Sequence, residues 1–309
     1  MSNLGQGVTE QYDARTIYQR SRMPRRQRRR WRRFRSKVLA VSEKELGTQQ
    51  VVFNKVATYT NAVAGNQLLA SMALYGLRSS TETLYNDLRG IGSLYGVTVS
   101  TTPSTPAVGL PVDNSSKLIF KSAVLDLTIR NSSFYGTSPP QPASEARIEL
   151  DIYECQIWHT AEENGLTYDT LGDLFQENPA RTPAIGGVGT EITIGLRGVT
   201  PFDLSYVLSR FKVKINRKTK YTIGNGDQIT YQVRDPKRRV ETLRELTNQD
   251  GFNKPGWTRV LFLVGKLSPG LTIGGTASTY TEQITVGITR KYVFKVENYT
   301  EDRTNYIVA

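Results

Sequence analysis

Eleven of the eighteen residues from Arg20 to Lys37 are Arg or Lys, and none is acidic. The run RSRMPRRQRRRWRRFRSK is where this chain can do chemistry, and that chemistry is phosphate recognition. Arginine outnumbers lysine in it ten to one. A guanidinium forks onto phosphate oxygens and stays charged at any physiological pH. Trp31 and Phe34 sit inside the run and can stack on unpaired bases. The candidate nucleic-acid-binding residues are therefore Arg20, Arg22, Arg25, Arg26, Arg28, Arg29, Arg30, Trp31, Arg32, Arg33, Phe34, Arg35 and Lys37. With about ten such cations on a single strand, log affinity falls against log salt with a slope of about −7.

Other reactive groups are sparse. His159 is the only histidine and Cys155 the only cysteine. No intrachain disulfide or cysteine-based metal cluster can form, which suits a reducing compartment. The single histidine argues against a cupin-like metal site, which normally takes several. His159 reads as a strand-end residue beside Trp158. No GxxxxGK[ST] or GxSxG motif occurs. Gly186-Gly187-Val188-Gly189 lacks the preceding strand and following helix of a dinucleotide site. Carboxylates are spread singly, so no acid/base pair stands out. The triplets at Asn114, Asn131 and Asn298 match the glycosylation pattern, but the N-terminal residues lack the apolar stretch of a secretory signal, and chance explains them. No enzyme, cofactor, metal or membrane insertion is expected.

The charge divides the chain. Residues 1–37 carry twelve basic side chains against Glu10 and Asp13, a net of +10. The whole chain carries 40 basic and 28 acidic residues, so 38–309 hold 28 against 26, a net of +2. A disordered basic arm over 1–37, which could also serve in nuclear import, and one domain over 38–309 are expected. A second basic group follows in the body, with Arg210, Lys212, Lys214, Arg217, Lys218 and Lys220, then Lys237, Arg238 and Arg239. Lys212, Lys214, Arg217 and Lys218 are the weaker nucleic-acid candidates. They form either a solvated strand face or a rim that continues the arm's phosphate contacts.

The elements that must position these residues are strands. Periodicity predicts eight, at 49–60, 67–75, 118–130, 146–158, 206–217, 227–234, 258–265 and 284–297, the seventh being apolar on both faces as a fully covered strand is. A phase slip before Cys155 predicts a bulge. Gly224-Asn225-Gly226-Asp227 predicts a hairpin over 219–234. Ser79 with Glu82 caps a short helix over 81–90, with Leu84, Leu88 and Ile91 at helical spacing. A second, weaker helical pattern lies near 167–176, and Asp235-Pro236 resembles a helix start. The stretches 100–116 and 178–190 read as loops. Along 284–297, Arg290 breaks the apolar side. No strand–helix alternation or internal repeat appears. The expected fold is all-β, an eight-stranded antiparallel two-sheet jelly roll.

A polybasic arm joined to a near-neutral β domain resembles viral coat proteins. The likeness is to capsid proteins of small circular single-stranded DNA viruses, the circovirus-like group. Residues 20–37, RFKVKINRKTKYTIGNGDQITYQVRDPKRRV at 210–240, TRVLFLVGKLSPG at 258–270 and ITVGITRKYVFKVENY at 284–299 carry it. The resemblance implies a viral jelly roll that self-assembles into a small icosahedral homo-oligomer of about 60 copies. It implies an arm inside the shell that packages the single-stranded DNA genome, location in the virion, and assembly in the host nucleus. A coat protein of a small positive-strand RNA virus and a non-assembling nucleic-acid-binding β-domain protein are the alternatives.

Overall fold

The computed structural model describes residues 24–61, 68–77, 86–95, 115–135, 141–144, 146–158, 213–248, 253–267 and 280–308. Expectations for Arg20, Arg22, Lys212, His159, the helical pattern near 167–176 and the glycines at 186–189 lie outside them.

In chain order the elements are α1 (Arg25–Ser42), β1 (Thr48–Asn61), β2 (Leu68–Leu74), α2 (Asp87–Tyr95), β3 (Lys117–Asn131), β4 (Phe134–Tyr135) and β5 (Gln141–Pro142). They continue with β6 (Ile148–Ile157), β7 (Val213–Ile223), β8 (Gln228–Asp235), β9 (Arg239–Thr242), α3 (Leu243–Asn248), β10 (Arg259–Leu267), β11 (Tyr280–Val296) and β12 (Arg303–Val308). The chain is mostly β and forms two sheets. One has the order β12-β1-β11-β3-β8, with β4, β5 and β9 attached at its margins; the other is β2-β10-β6-β7.

All eight predicted strands have counterparts among the described residues, the one expected at 206–217 as β7 from Val213, with 206–212 outside them. The bulge in β6 is present, as a register shift against β7 between Glu154 and Cys155. The apolar sides close the core. Ile284, Val286, Ile288, Tyr292, Phe294 and Val296 of β11 are buried, as are Ala123, Leu125, Leu127 and Ile129 of β3, and they meet β2, β6 and β10 in one cluster. At about 25 cal/mol per Å² of apolar area, this burial is the main favourable contribution to the fold.

Four expectations are corrected. The sheets are not wholly antiparallel, because β12 runs parallel to β1, from Gln49 opposite Arg303 to Asn54 opposite Val308. The segment 219–234 is not a hairpin. Gly226 does adopt the positive φ of 85° that the turn needs, but β7 pairs with β6 and β8 pairs with β3, so the turn carries the chain from one sheet to the other. Asp235-Pro236 starts no helix. Asp235 is buried and holds Arg239 at 2.7 Å and Arg259 at 3.3 Å. Finally, the part of the arm that is described is not disordered but forms α1.

The helix expected at 81–90 appears as α2, starting at Asp87; 78–85 lie outside the described residues. Leu88 and Ile91 are buried as its spacing required. Asp87 also answers the anomaly in β11. Arg290 points into the core fully buried, with its Nε 2.9 Å from Asp87 Oδ2. The Tyr292 hydroxyl donates to the same carboxylate and accepts from the Tyr75 amide at 2.9 Å. Burial pushes Asp87 up to about 6, against the opposing pull of Arg290 and Tyr292.

Candidate nucleic-acid interface

The run that carries the arm's charge folds because Arg is a good helix former and because its C-terminal end is anchored to the body. Pro24 precedes the first turn, where its missing N–H costs nothing, and its carbonyl accepts from the Arg28 amide at 3.0 Å. Arg25, Arg26, Arg29, Arg30, Arg32, Arg33 and Lys37 are exposed, while Arg28 and Trp31 are half-buried. Arg35 is described only by its place in the helix. Trp31 and Phe34 stack with centroids 5.8 Å apart. The pair keeps one Phe34 face available to a base, the geometry stacking recognition needs.

The root of α1 is clamped to the body. Glu43, just past the last turn, is buried. It accepts from Arg238 Nε at 3.1 Å and Nη2 at 2.5 Å, and from Lys121 Nζ. Burial alone raises its pKa, but the hydrogen bonds and charges of Lys121 and Arg238 outweigh this and hold it below the ordinary value. Lys295 Nζ donates to the carbonyls of Glu43 (2.6 Å) and Leu46 (2.7 Å). A cation at a helix C-terminus is favoured because the last carbonyls lack intrahelical partners. Lys121 sits where the β3–β11 register shifts between Val293 and Phe294. The bulge frees that side chain to reach Glu43.

Lys295 belongs to the outward side of β11, so α1 is rooted on the outer face of the larger sheet. The register defines that face in rows across β8, β3, β11 and β1. One row is Arg234, Val124, Lys291 and Val52; the next is Gln232, Asp126, Thr289 and Asn54; then Thr230, Thr128, Gly287 and Val56; then Gln228, Arg130, Thr285 and Thr58. The face is mostly polar, with Val124, Val52 and Val56 among Thr, Asn and Gln, and carries Arg234, Lys291 and Arg130 against the single acid Asp126 of these rows. Such a surface can receive a phosphate backbone without burying charge.

The β7 cations are held differently. They lie on the edge strand of the smaller sheet, and neighbouring β6 carboxylates take up part of their charge. Lys218 pairs with buried Asp151 at 3.1 Å and lies 5.0 Å from the Tyr153 ring. Lys220 pairs with Glu149 at 3.1 Å. Arg217 lies 5.9 Å from the centroid of the Tyr231 ring, whose hydroxyl donates to Glu154 at 2.6 Å. Lys214 is exposed. The structure therefore brings the α1 root together with Lys121, Arg238 and Lys295, not with Lys214, Arg217 and Lys218. Sequence reasoning missed Lys121 and Lys295 because each is a lone lysine in an alternating strand. Arg238 was visible as part of a cluster, but its role as a clamp was not.

Among the described residues no group of His, Cys, Asp and Glu could hold a metal ion, and no helix is long and apolar enough to cross a membrane. Cys155 is buried and burial raises its thiol pKa, so it is a poor nucleophile in the folded chain. No known family model matches the chain, and no curated protein matches it.

Proposed function

We propose that this protein is a non-enzymatic viral capsid subunit that assembles with its own copies and packages single-stranded DNA through α1 and the residues before it. The observation that carries the proposal is the rooting of α1: a helix of Arg25–Ser42 with nine Arg or Lys residues and no acid, clamped through Glu43 to the outer face of a β body whose own net charge is close to zero. That joins a polyanion-binding element rigidly to a body able to tile.

The strand order supports the finer fold reading. The long strands alternate between the sheets as β1, β3, β8 and β11 in one and β2, β6, β7 and β10 in the other, with orders β1-β11-β3-β8 and β2-β10-β6-β7. This order supports a jelly-roll winding, with β12 as an added parallel edge.

Size-exclusion chromatography and electron microscopy of the full chain test the proposal. Megadalton particles enclosing nuclease-protected single-stranded nucleic acid are expected. A stable 34.6 kDa species that binds the same strands favours the non-assembling binding protein. Absence of both particles and binding overturns the proposal. Because guanidinium–phosphate contacts do not read the sugar, the composition of the protected strand decides between DNA and RNA.

A further inference from the structure

The clamp at the root of α1 holds more positive charge than its acid balances. Lys121 and Arg238 share the Glu43 carboxylate, while Lys295 donates to the carbonyls of Glu43 and Leu46. Three cations thus meet one acid. The carboxylate is 8 % exposed, but Lys121 and Arg238 are 33 % and 42 % exposed. By contrast, Arg290 with Asp87 and Arg239 with Asp235 are sealed on both sides. Lys218 over buried Asp151 is open too, but it supplies one ammonium and no fork. At the clamp Arg238 grips one carboxylate oxygen through Nε and Nη2, and Lys121 takes the other. A guanidinium and an ammonium grip phosphate oxygens in the same way.

The clamp also lies where a strand would pass. Lys37 is six residues before Glu43, about 9 Å along a helix. Lys291 is four residues before Lys295 on the same side of β11, about 13 Å along a strand. The site therefore stands between the cations of α1 and those of the outer face. We propose that Glu43 fills a phosphate site: when a single strand lies along α1, a backbone phosphate takes the place of the Glu43 carboxylate between Arg238 and Lys121. Two anions compete for one pair of cations. In the free chain the carboxylate prevails because it is tethered beside them. A strand already held by the α1 arginines brings its phosphates to a comparable local concentration, and the exchange follows. Once displaced, the Glu43 side chain no longer holds the end of α1. The arm is thus clamped in the free chain and loosened on the strand, while Arg238 and Lys121 join the binding surface. This rests on the proposed role of α1 in nucleic-acid binding.

Filter binding of a single-stranded oligodeoxynucleotide by the full chain tests it. Glu43→Gln removes the competitor and is expected to bind several-fold more tightly than the parent. Glu45→Gln, an exposed acid two residues on, controls for net charge and is expected to bind like the parent. The gain should vanish in the double variant E43Q/R238Q. An equal gain in E45Q, or unchanged or weaker binding by E43Q, overturns the exchange and leaves Glu43 as a positioning residue for α1. Failure of the parent to bind overturns the proposed function as well. Tryptic cleavage of the unaltered chain after exposed Lys44 gives a second reading that does not depend on E43Q folding. Saturating oligonucleotide is expected to speed that cut; an unchanged or slower cut overturns the exchange. Inorganic phosphate at the same phosphate concentration is expected to leave it unchanged, and equal acceleration overturns the strand as the ligand.

Discussion

At the scale of single residues, buried polar groups set what the fold tolerates. Asn131 shows this most fully. Its amide donates to the carbonyls of Ala146 and Ile223, both at 3.0 Å, and its Oδ1 accepts from the Ser133 amide at 3.1 Å and hydroxyl at 2.8 Å. Both amide protons of Asn131 are thus committed in the interior of the folded chain. Asn131→Ala leaves two buried carbonyls unpaired, a cost of about 1–3 kcal/mol each, measurable as a lowered urea midpoint. Glu282 is the opposite case. It is buried, its Oε2 finds no hydrogen-bond partner among the described residues, and burial pushes it up to about 7 from an ordinary 4.5. Between those values the folded chain keeps a proton that the unfolded chain has lost. Stability therefore falls as pH rises through that window, by up to about 3 kcal/mol. Glu282→Gln removes this part of the slope, so its thermal midpoint should change less than the parent's between about pH 5 and pH 7.5. An equal change in both proteins would mean that the carboxylate is solvated. Neither role is visible in sequence, because it depends on segments far apart in the chain: the side chain of Asn131 reaches Ala146 and Ile223.

At the scale of elements, alternation located most strands because one face lies on the core, and Ile284–Val296 read cleanly for that reason; Val260–Val264 of β10, buried on both faces, was legible instead as a continuous apolar run. Turn chemistry was less informative. Gly226 indicates that the chain reverses, but not which sheet receives the next strand, so the crossing from β7 to β8 was mistaken for a hairpin. The polar segment RTNYIV hid β12, whose position depends on a close approach. A Cβ on Gly47 would lie 2.1 Å from the Glu301 carbonyl oxygen, and the Gly47 amide donates to Tyr299 at 2.8 Å. The helix α1 was hidden by its own charge. Repulsion between cations three and four residues apart argues against a helix, and the anchors that help oppose it come from β3, β11 and the turn before β9. Glu43→Gln should weaken those anchors by removing the charge that Lys121 and Arg238 share. The expected result is faster tryptic cleavage between residues 25 and 44, with little change in the thermal midpoint of the body. An unchanged cleavage rate would mean that Lys295 and the helix end suffice.

At the scale of the whole molecule, the division of charge was legible from composition alone, and the clamp at Glu43 gives it a physical boundary. That boundary lies at residue 42, at the end of α1, five residues past the expected arm limit at 37. The difference matters for testing the arm. A truncation within α1 would leave a fragment of helix; one after Glu43 would strip Lys121 and Arg238 of the buried carboxylate they share. Removing residues 1–42 avoids both faults. It takes away twelve basic and two acidic side chains, and the remaining 43–309 still hold 28 basic against 26 acidic. The truncated body should keep its urea midpoint, since α1 contributes none of the core cluster. Its affinity for single-stranded DNA should collapse, and the log–log salt slope should shrink from about −7 toward zero as the released counterions disappear. Arg130, Arg234 and Lys291 set the residual, because a polar face with a small cationic excess retains weak contacts of its own. A truncated protein that still packages nucleic acid fully would move the binding role from α1 to that face. One that no longer folds would make α1 part of the body.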